Sequence, residues 1–533
     1  MGRQREHADQ GDFAAAMVKS IQMISTRAIW ALALALLSWS DALGREQSVA
    51  PAHMRAIGTV DARFQSYNIE MVEVTGGRFW RPYRQRSSSD RATTPATPVR
   101  QSGDIYAYRA PIDLDHPRLR RLAAALSPAY LRVSGTWANT TYFADSDDAP
   151  AAPPAGFSSV LSRARWRAVV DFARDVDARI VTSFAVSAGT RDAGGIWTPD
   201  QAHRILAYTG SLGGSVVAAE YMNEPTLAAT NGAPAGYDAK AYGRDFKLFR
   251  AFLKQVSPET LILGPGSVGE SSAAPASRMA TADLLAASGD GIDALSYHHY
   301  NTVSRRCGGR DLPDEALSEE WLSRTDHALA FYQPLRDRFE PGKPLWLTET
   351  AAAACGGNPW DGTFLDTFRY LDQLGRLAKA GVQVVMHNTL AASDYGLLEE
   401  NTFDPRPNYW GALLWHRLMG RTVLDPGVSA QEGLHVYAHC NAGTPGSVSV
   451  LAINTSRRAS HALTLMTASE RYTLHAAHLQ SRRVQLNGST LALRGENELP
   501  AIRASPTPAG RVTFAPATIT FLAIPSAANP ACR

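Results

Sequence analysis

From about residue 65 to 420 the chain alternates short β-branched or apolar runs with amphipathic stretches of about ten to fifteen residues, the rhythm of repeated βα units. Eight strands are predicted: Tyr67–Val74, Ala129–Val133, Arg179–Val186, Val217–Met222, Leu261–Leu263, Ala294–Tyr297, Leu345–Thr348 and Val382–His387. Between them Trp166–Val176, Ala241–Val256 and Thr363–Ala380 carry apolar residues at helical spacing. Eight strands with intervening helices predict an α/β fold, a (β/α)8 TIM barrel over 65–420, rather than an open doubly wound sheet.

After residue 421 the pattern changes to alternating strands, Gly446–Asn454, His461–Met466, Arg483–Leu486 and Val512–Ile524, separated by Gly, Pro and Asn turns. A C-terminal β-sandwich over 421–533 is therefore expected, with the lead-in 45–64 as a source of one more strand for it. Arg84–Asp104, rich in Ser, Thr, Pro and Arg, is too polar to fold alone and reads as a loop at the active-site end of the first strand.

Near the N-terminus Arg27 precedes the apolar run Ile29–Trp39, and Ala42-Leu43-Gly44 supplies small residues where a signal peptidase reads. Residues 1–44 are expected to be an extension and signal peptide, with translation starting at Met17 or Met23 as an alternative, and the product periplasmic or secreted. No membrane span is expected, because the run is too short for a transmembrane helix.

Lys+Arg 53 against Asp+Glu 50 leaves a net charge of only +3, which excludes the basic excess of a nucleic-acid binder and makes any polyanion site local. Export makes Cys307, Cys355, Cys440 and Cys532 candidates for two disulfides rather than a metal site. Of the three connectivities, Cys307–Cys355 with Cys440–Cys532 keeps each pair within one predicted domain; free buried thiols are the alternative.

Cleaving a glycosidic bond takes one carboxylic acid to protonate the leaving oxygen and a second carboxylate to attack or assist. The fourth predicted strand ends in Asn223-Glu224-Pro225 and the seventh in Glu349. Side chains at the C-terminal ends of barrel strands project into one site, so the two can face each other across 125 positions. A single strand-end Glu more often caps a helix or pairs with an Arg; the pairing of Asn-Glu on strand four with Glu on strand seven is far more specific.

Two other motifs point elsewhere and are set aside. His298 and His299 are adjacent on a strand and face opposite ways, so no metal is expected there. Gly264-Pro-Gly266-Ser-Val-Gly269 matches a dinucleotide fingerprint in form, yet it is the fifth unit of a barrel with Pro in its turn. No cofactor is expected, and no phosphate-binding loop or Gly-x-Ser-x-Gly elbow is present.

The carboxylate pair resembles the clan of retaining glycosidases that share this barrel. Leu126-Ser-Pro-Ala-Tyr-Leu-Arg132-Val-Ser-Gly135-Thr136, Tyr297-His298-His299-Tyr300 and the run Asn401 to Trp410 narrow the resemblance to glycoside hydrolase family 79. The resemblance implies that Glu224 is the general acid/base, entering the reaction protonated, and Glu349 the nucleophile. Asn223 would hold the sugar 2-hydroxyl and Tyr300 would hydrogen-bond the nucleophile. Tyr395, with backbone donors at Ser393, would receive a uronate carboxylate, while Glu70 and Thr136 would line that subsite; His298 is a further candidate substrate contact. Where the family has Gly-Asn-Tyr this chain has Ser393-Asp394-Tyr395, which sets an acid beside a substrate carboxylate.

Arg81, Arg84, Arg305, Arg306 and Arg310 are candidate sulfate contacts, with solvated loop charges as the plain alternative. No basic-flanked internal linker is apparent, so activation by excision is not expected. The expected enzyme is a monomeric, retaining endo-β-glucuronidase acting on heparan sulfate or a related acidic polysaccharide. An exo-β-glucuronidase on the same scaffold is the near alternative, and a non-catalytic glycosaminoglycan-binding protein the distant one.

Overall fold

The structure, a computed structural model, describes residues 47–83, 105–270, 279–429 and 431–533. The expected signal segment within 1–44, Arg84 and the segment Arg84–Asp104 lie outside the described residues.

Eight parallel strands close into a barrel in chain order: Gln65–Glu70, Ala129–Ser134, Ala178–Ser183, Val216–Glu220, Leu261–Ser267, Ala294–Val303, Leu345–Ala354 and Val384–His387. The eighth strand returns to the first in the register Val385↔Gln65 and His387↔Tyr67. Nearly every strand residue is buried on both faces, which is why the strands read as continuous apolar runs rather than as alternation.

The helices pack outside. Trp166, Val169, Val170 and Phe172 form the buried face of Arg163–Asp175, whose first turn is capped by Ser162 accepting from the Arg165 amide. Asp238 caps Ala239–Val256 in the same way, through the Ala241 amide. The predicted first strand is corrected at its end: it stops at Glu70, because Glu70 and Glu73 form a reciprocal capping box that starts the helix Met71–Thr75. A hairpin follows, Gly77–Trp80 paired with Tyr106–Arg109.

The last barrel helix, Pro407–Leu418, runs straight into the strand Met419–Leu424 of a nine-stranded sheet. The lead-in strand Ala56–Thr59 pairs with that strand, and Ser48–Val49 joins a second sheet of three strands with His461–Leu465 and Gly510–Phe514. Val49, Val450, Leu463, Val512, Phe514 and Leu522 from the two sheets share one apolar core, which makes the unit a sandwich. The expected single strand Val512–Ile524 is corrected to two, Gly510–Phe514 and Thr518–Ile524, which break at Ala517 (φ 49°) and belong to different sheets.

The sandwich is seated on the barrel helix Phe364–Lys379. Gly375 leaves room for the Tyr437 ring, 2.5 Å from where a Cβ would stand, and Tyr437 and His435 both reach Asp372 at 2.6 Å. Burial would raise the Asp372 carboxyl, but His435 and Arg376 outweigh it and hold it below the usual range. The disulfides are Cys307–Cys355 and Cys440–Cys532. Among the described residues no helix is long and apolar enough to cross a membrane.

Candidate active site

Strand four delivers Glu224 through a bend that its own backbone disfavours. Glu224 has φ 48° and ψ 63°, a left-handed conformation uncommon for a residue with a side chain. Asn139 holds that bend from the neighbouring loop: it accepts from the Asn223 amide at 2.8 Å and donates to the Asn223 carbonyl at 2.9 Å. Pro225 then opens a short 3-10 turn, leaving the Glu224 side chain over the barrel mouth. Strand seven carries Glu349 in register with His298 of strand six. One carboxylate oxygen each from Glu224 and Glu349 and a ring nitrogen of His298 all lie within 4.8 Å of one another.

Glu349 is held from both sides. Arg132 donates to Oε2 through Nη1 at 2.9 Å, and the Tyr300 hydroxyl donates to Oε1 at 2.6 Å. Burial and then the charge of Glu349 push the Tyr300 hydroxyl well up, so it remains a donor. The other edge of Arg132 binds Glu220 Oε2 at 2.8 and 3.1 Å and Asn223 Oδ1 at 2.8 Å. Burial would raise the Glu220 carboxyl, but the Arg132 guanidinium outweighs it and keeps it below the ordinary range. One guanidinium thus serves two carboxylates.

The same network assigns the histidine tautomer. Arg132 Nη2 lies 3.2 Å from His298 Nε2 and a guanidinium can only donate, so Nε2 accepts and the ring proton sits on Nδ1. Nδ1 is 3.0 Å from Glu224 Oε1. Glu224, His298 and Glu349 have the spacing of a metal-ligand set. A second cation would nevertheless face the full charge of Arg132 next to both His298 and Glu349.

Beside the pair, Asn388 joins three further groups, donating to Glu70 Oε1 at 3.0 Å, to the Tyr300 hydroxyl at 3.0 Å and to the Tyr395 hydroxyl at 3.3 Å. Burial first and Glu349 second push the Glu70 carboxyl well above its usual range, while burial and then Glu70 do the same to the Tyr395 hydroxyl. Gly135, at φ 87°, is required here because a Cβ would fall 1.5 Å from Glu70 Oε2. Glu70, Thr136, His298, Tyr300 and Tyr395 all line one cavity of about 1240 Å³ together with Glu224 and Glu349. Trp80, Tyr106 and Trp137 form an aromatic wall on its strand-one and strand-two side, with Trp80 stacked on Tyr106 at 4.8 Å.

Not every expected residue arrives. Asn223 is buried, with its Oδ1 on Arg132, and is not part of the cavity wall. Ser393 is buried at φ 62° with its carbonyl bound by Arg406 at 2.8 Å, and it is not part of the cavity wall. Asp394 is turned to Arg306, at 2.6 Å, and to the Tyr83 amide. That contact removes the expected conflict between Asp394 and a substrate carboxylate. It also corrects Arg306 as a sulfate contact, since its guanidinium is buried on Asp394 and stacked 4.1 Å over Tyr83. Arg305 lies 5.0 Å over the Trp360 ring and Arg81 donates to the Tyr106 carbonyl; neither lines the cavity.

The residues that sequence reasoning left without a role are Glu220, Asn139, Asn388 and Arg132, the last noticed only as part of a motif. Glu220 carried a signal, being a charge inside an otherwise apolar strand four residues before Glu224. Asn139 and Asn388 carried none.

Heparanase-like protein 1 of Arabidopsis thaliana is 29% identical over 376 residues, covering 66% of this chain and 66% of that relative. Mouse heparanase is 28% identical over 481 residues, 79% of this chain and 88% of the relative. A solved 4-O-α-L-rhamnosyl-β-D-glucuronidase from Fusarium oxysporum shares the fold, with a TM-score of 0.61 over 90% of this chain and 99% of that one at 14% identity. The family profile described as the N-terminal domain of glycosyl hydrolase family 79 matches residues 107–375. That span runs from the hairpin after strand one to the helix after strand seven and takes in both carboxylate-bearing strands, and on it the chain belongs to glycosyl hydrolase family 79 and is a glycoside hydrolase.

Proposed function

We propose that the chain is a retaining β-glucuronidase that cuts within an acidic polysaccharide of the heparan type. The observation that supports it most is the separation of the carboxylates, with oxygens of Glu224 and Glu349 inside 4.8 Å. Retaining glycosidases keep their two carboxyl groups about 5 to 5.5 Å apart, whereas inverting ones leave about 6.5 to 9.5 Å for a water.

In this reading Glu349 attacks the anomeric carbon while Glu224 gives its proton to the leaving oxygen, and a glycosyl ester forms on Glu349. Glu224 then takes a proton from a water that attacks the same carbon, which frees Glu349 and returns the proton to Glu224. Arg132 and Tyr300 aim the Glu349 carboxylate. Asn223 anchors the Arg132 guanidinium through its Oδ1. The uronate sits among Tyr395, Thr136 and Glu70. Burial and Glu349 raise the Glu70 carboxyl, which weakens its repulsion of the sugar carboxylate.

Two relatives carry heparanase in their names, and the cavity is larger than one sugar requires, with walls on both sides of the carboxylate pair. Both features favour a polymer over a terminal sugar. Export is proposed with it, in keeping with two disulfides and no free cysteine among the described residues.

Digestion of heparan sulfate with product sizing tests the reading. Early shortening of the chains is expected, whereas release of free glucuronic acid from chains of unchanged length identifies an exo enzyme. Proton NMR of an aryl β-glucuronide digest is expected to show the β-anomer first; α-anomer appearing first removes the retaining mechanism. Glu349→Gln is expected to abolish turnover; full activity in that variant would remove Glu349 as the nucleophile, and absence of turnover by the natural protein would leave only a binding protein.

A further inference from the structure

The order of strands around the barrel divides the cavity into two arms. Glu224, the group that protonates the leaving oxygen, stands on strand four, and the loops next to it on the rim follow strands five and six. The leaving group therefore lies on the side of strands four to six. The uronic acid lies on the side of strands eight, one and two, where Tyr395, Glu70 and Thr136 are.

The wall of the leaving-group arm is part apolar and part acidic. Leu227, Val268 and Val303 supply the apolar surface, and Val303 is 44% exposed. Asp311 and Glu320 supply two carboxylates. Among the described residues of this arm Arg324 is the one guanidinium, and its donors are engaged. Nε binds Glu320 at 2.9 Å, Nη2 binds Asp311 at 3.1 Å, and Nη1 binds the Asn301 carbonyl at 2.9 Å, while its flat face lies 4.8 Å over the Trp321 ring. Among the described residues, two acids against one cation give this arm a net negative charge. Arg305 and Arg310 are exposed farther along the loop and are not part of this wall.

Resting on the glucuronidase reading, we propose that the subsite directly beyond the cleaved bond takes an uncharged group and rejects one that bears a sulfate. A sulfate brought there meets Asp311 and Glu320 with no free guanidinium edge among the described residues of the arm, and displacing Arg324 from its two carboxylates to receive it leaves those carboxylates without their partner. An N-acetylated sugar without sulfate meets the apolar residues and the Thr302 and Thr230 hydroxyls at no such cost. Any sulfates on a natural chain then lie at least one residue away from the cleavage point.

The test compares two matched substrates, β-glucuronyl-N-acetylglucosamine and its 6-O-sulfate, with p-nitrophenyl β-glucuronide as a control for the reaction itself. The unsulfated disaccharide is expected to have a kcat/KM at least about tenfold higher, and rising salt is expected to narrow the gap by screening the two acids. Asp311→Asn with Glu320→Gln is expected to cut the ratio by about fivefold or more, since it removes the repelling charges and releases Arg324. Equal rates for the two disaccharides, or faster cleavage of the sulfated one, overturn the inference while the control remains active. An inactive control with correctly folded enzyme instead overturns the glucuronidase reading on which it rests.

Discussion

Arg132 reaches Glu349 with Nη1 at 2.9 Å while Glu220 holds the guanidinium's other edge at 2.8 and 3.1 Å. The planar fork matters more than the charge, because only a guanidinium presents donors to two carboxylates, an asparagine and a histidine at once. Arg132→Lys is expected to lower kcat on an aryl β-glucuronide by about 100-fold, with a smaller change in KM, as Glu349 loses a fixed donor. Arg132→Met leaves Glu220 and Glu349 buried without a counter-charge. Chemical denaturation is expected to show a loss of about 3 to 5 kcal/mol.

Gly135 and Glu70 occupy nearly the same space. A Cβ at position 135 falls 1.5 Å from Glu70 Oε2, and the position also has φ 87°. Gly135→Ala is therefore expected to combine a steric loss with a backbone loss, displacing Glu70 and raising KM. In a Glu70→Ser background the steric part disappears and only the backbone part remains, about 1 to 2 kcal/mol. Stability measured across the four proteins of this cycle checks it: strictly additive effects would show that the contact with Glu70 carries no energy.

The barrel was legible because its strands are buried on both faces and so appear as unbroken apolar runs; all eight begin within two residues of expectation. Their ends were less clear. Met71, Val72 and Val74 look like more strand, and only the Glu70 and Glu73 capping box turns them into helix. In the sandwich, Leu434–Asn441 and Ser469–His475 went unread, since half-buried strands with His, Tyr, Arg and Thr on their open faces resemble loops in composition. The two glutamates were legible from their place at strand ends. The groups that orient them were not, because Asn139 and Asn388 act through loop geometry that no local pattern encodes. The charge readings of Arg306 and Asp394 failed together for one reason: each residue's partner is 88 positions away.

Glu73 makes a pH prediction with a definite sign. It is wholly buried beside Arg109, and burial, only partly offset by that guanidinium, raises its carboxyl from 4.5 to about 7. The folded chain therefore holds this proton more tightly than the unfolded chain does. Its contribution favours folding below about pH 4.5 and is lost as pH climbs toward 7, a change on the order of 3 kcal/mol at most. Glu73→Gln keeps an acceptor for the Glu70 amide but cannot ionise. Its stability relative to the natural protein is expected to improve as pH rises from 4.5 to 7 and then to level off. Parallel melting-temperature curves for the two proteins across that range would rule out Glu73 as the titrating group.

The two disulfides are expected to separate by readout. Cys440–Cys532 ties the strand Leu434–Asn441 to the C-terminal turn across 92 residues, far from the cavity. Replacing both cysteines by serine is expected to cost about 2 to 4 kcal/mol and leave KM unchanged. Cys307–Cys355 lines the cavity and joins the loop after strand six to the loop after strand seven, so it sits between the elements that carry Tyr300 and Glu349. Those loops are also laced by Ser304 to the Ala354 and Cys355 carbonyls and by the Arg305 amide to Asn358. Cys307→Ser with Cys355→Ser therefore loosens the wall without releasing it, and KM is expected to rise about three- to tenfold while kcat changes little. A fall in kcat at constant KM would instead place the bridge's influence on the Glu349 carboxylate itself.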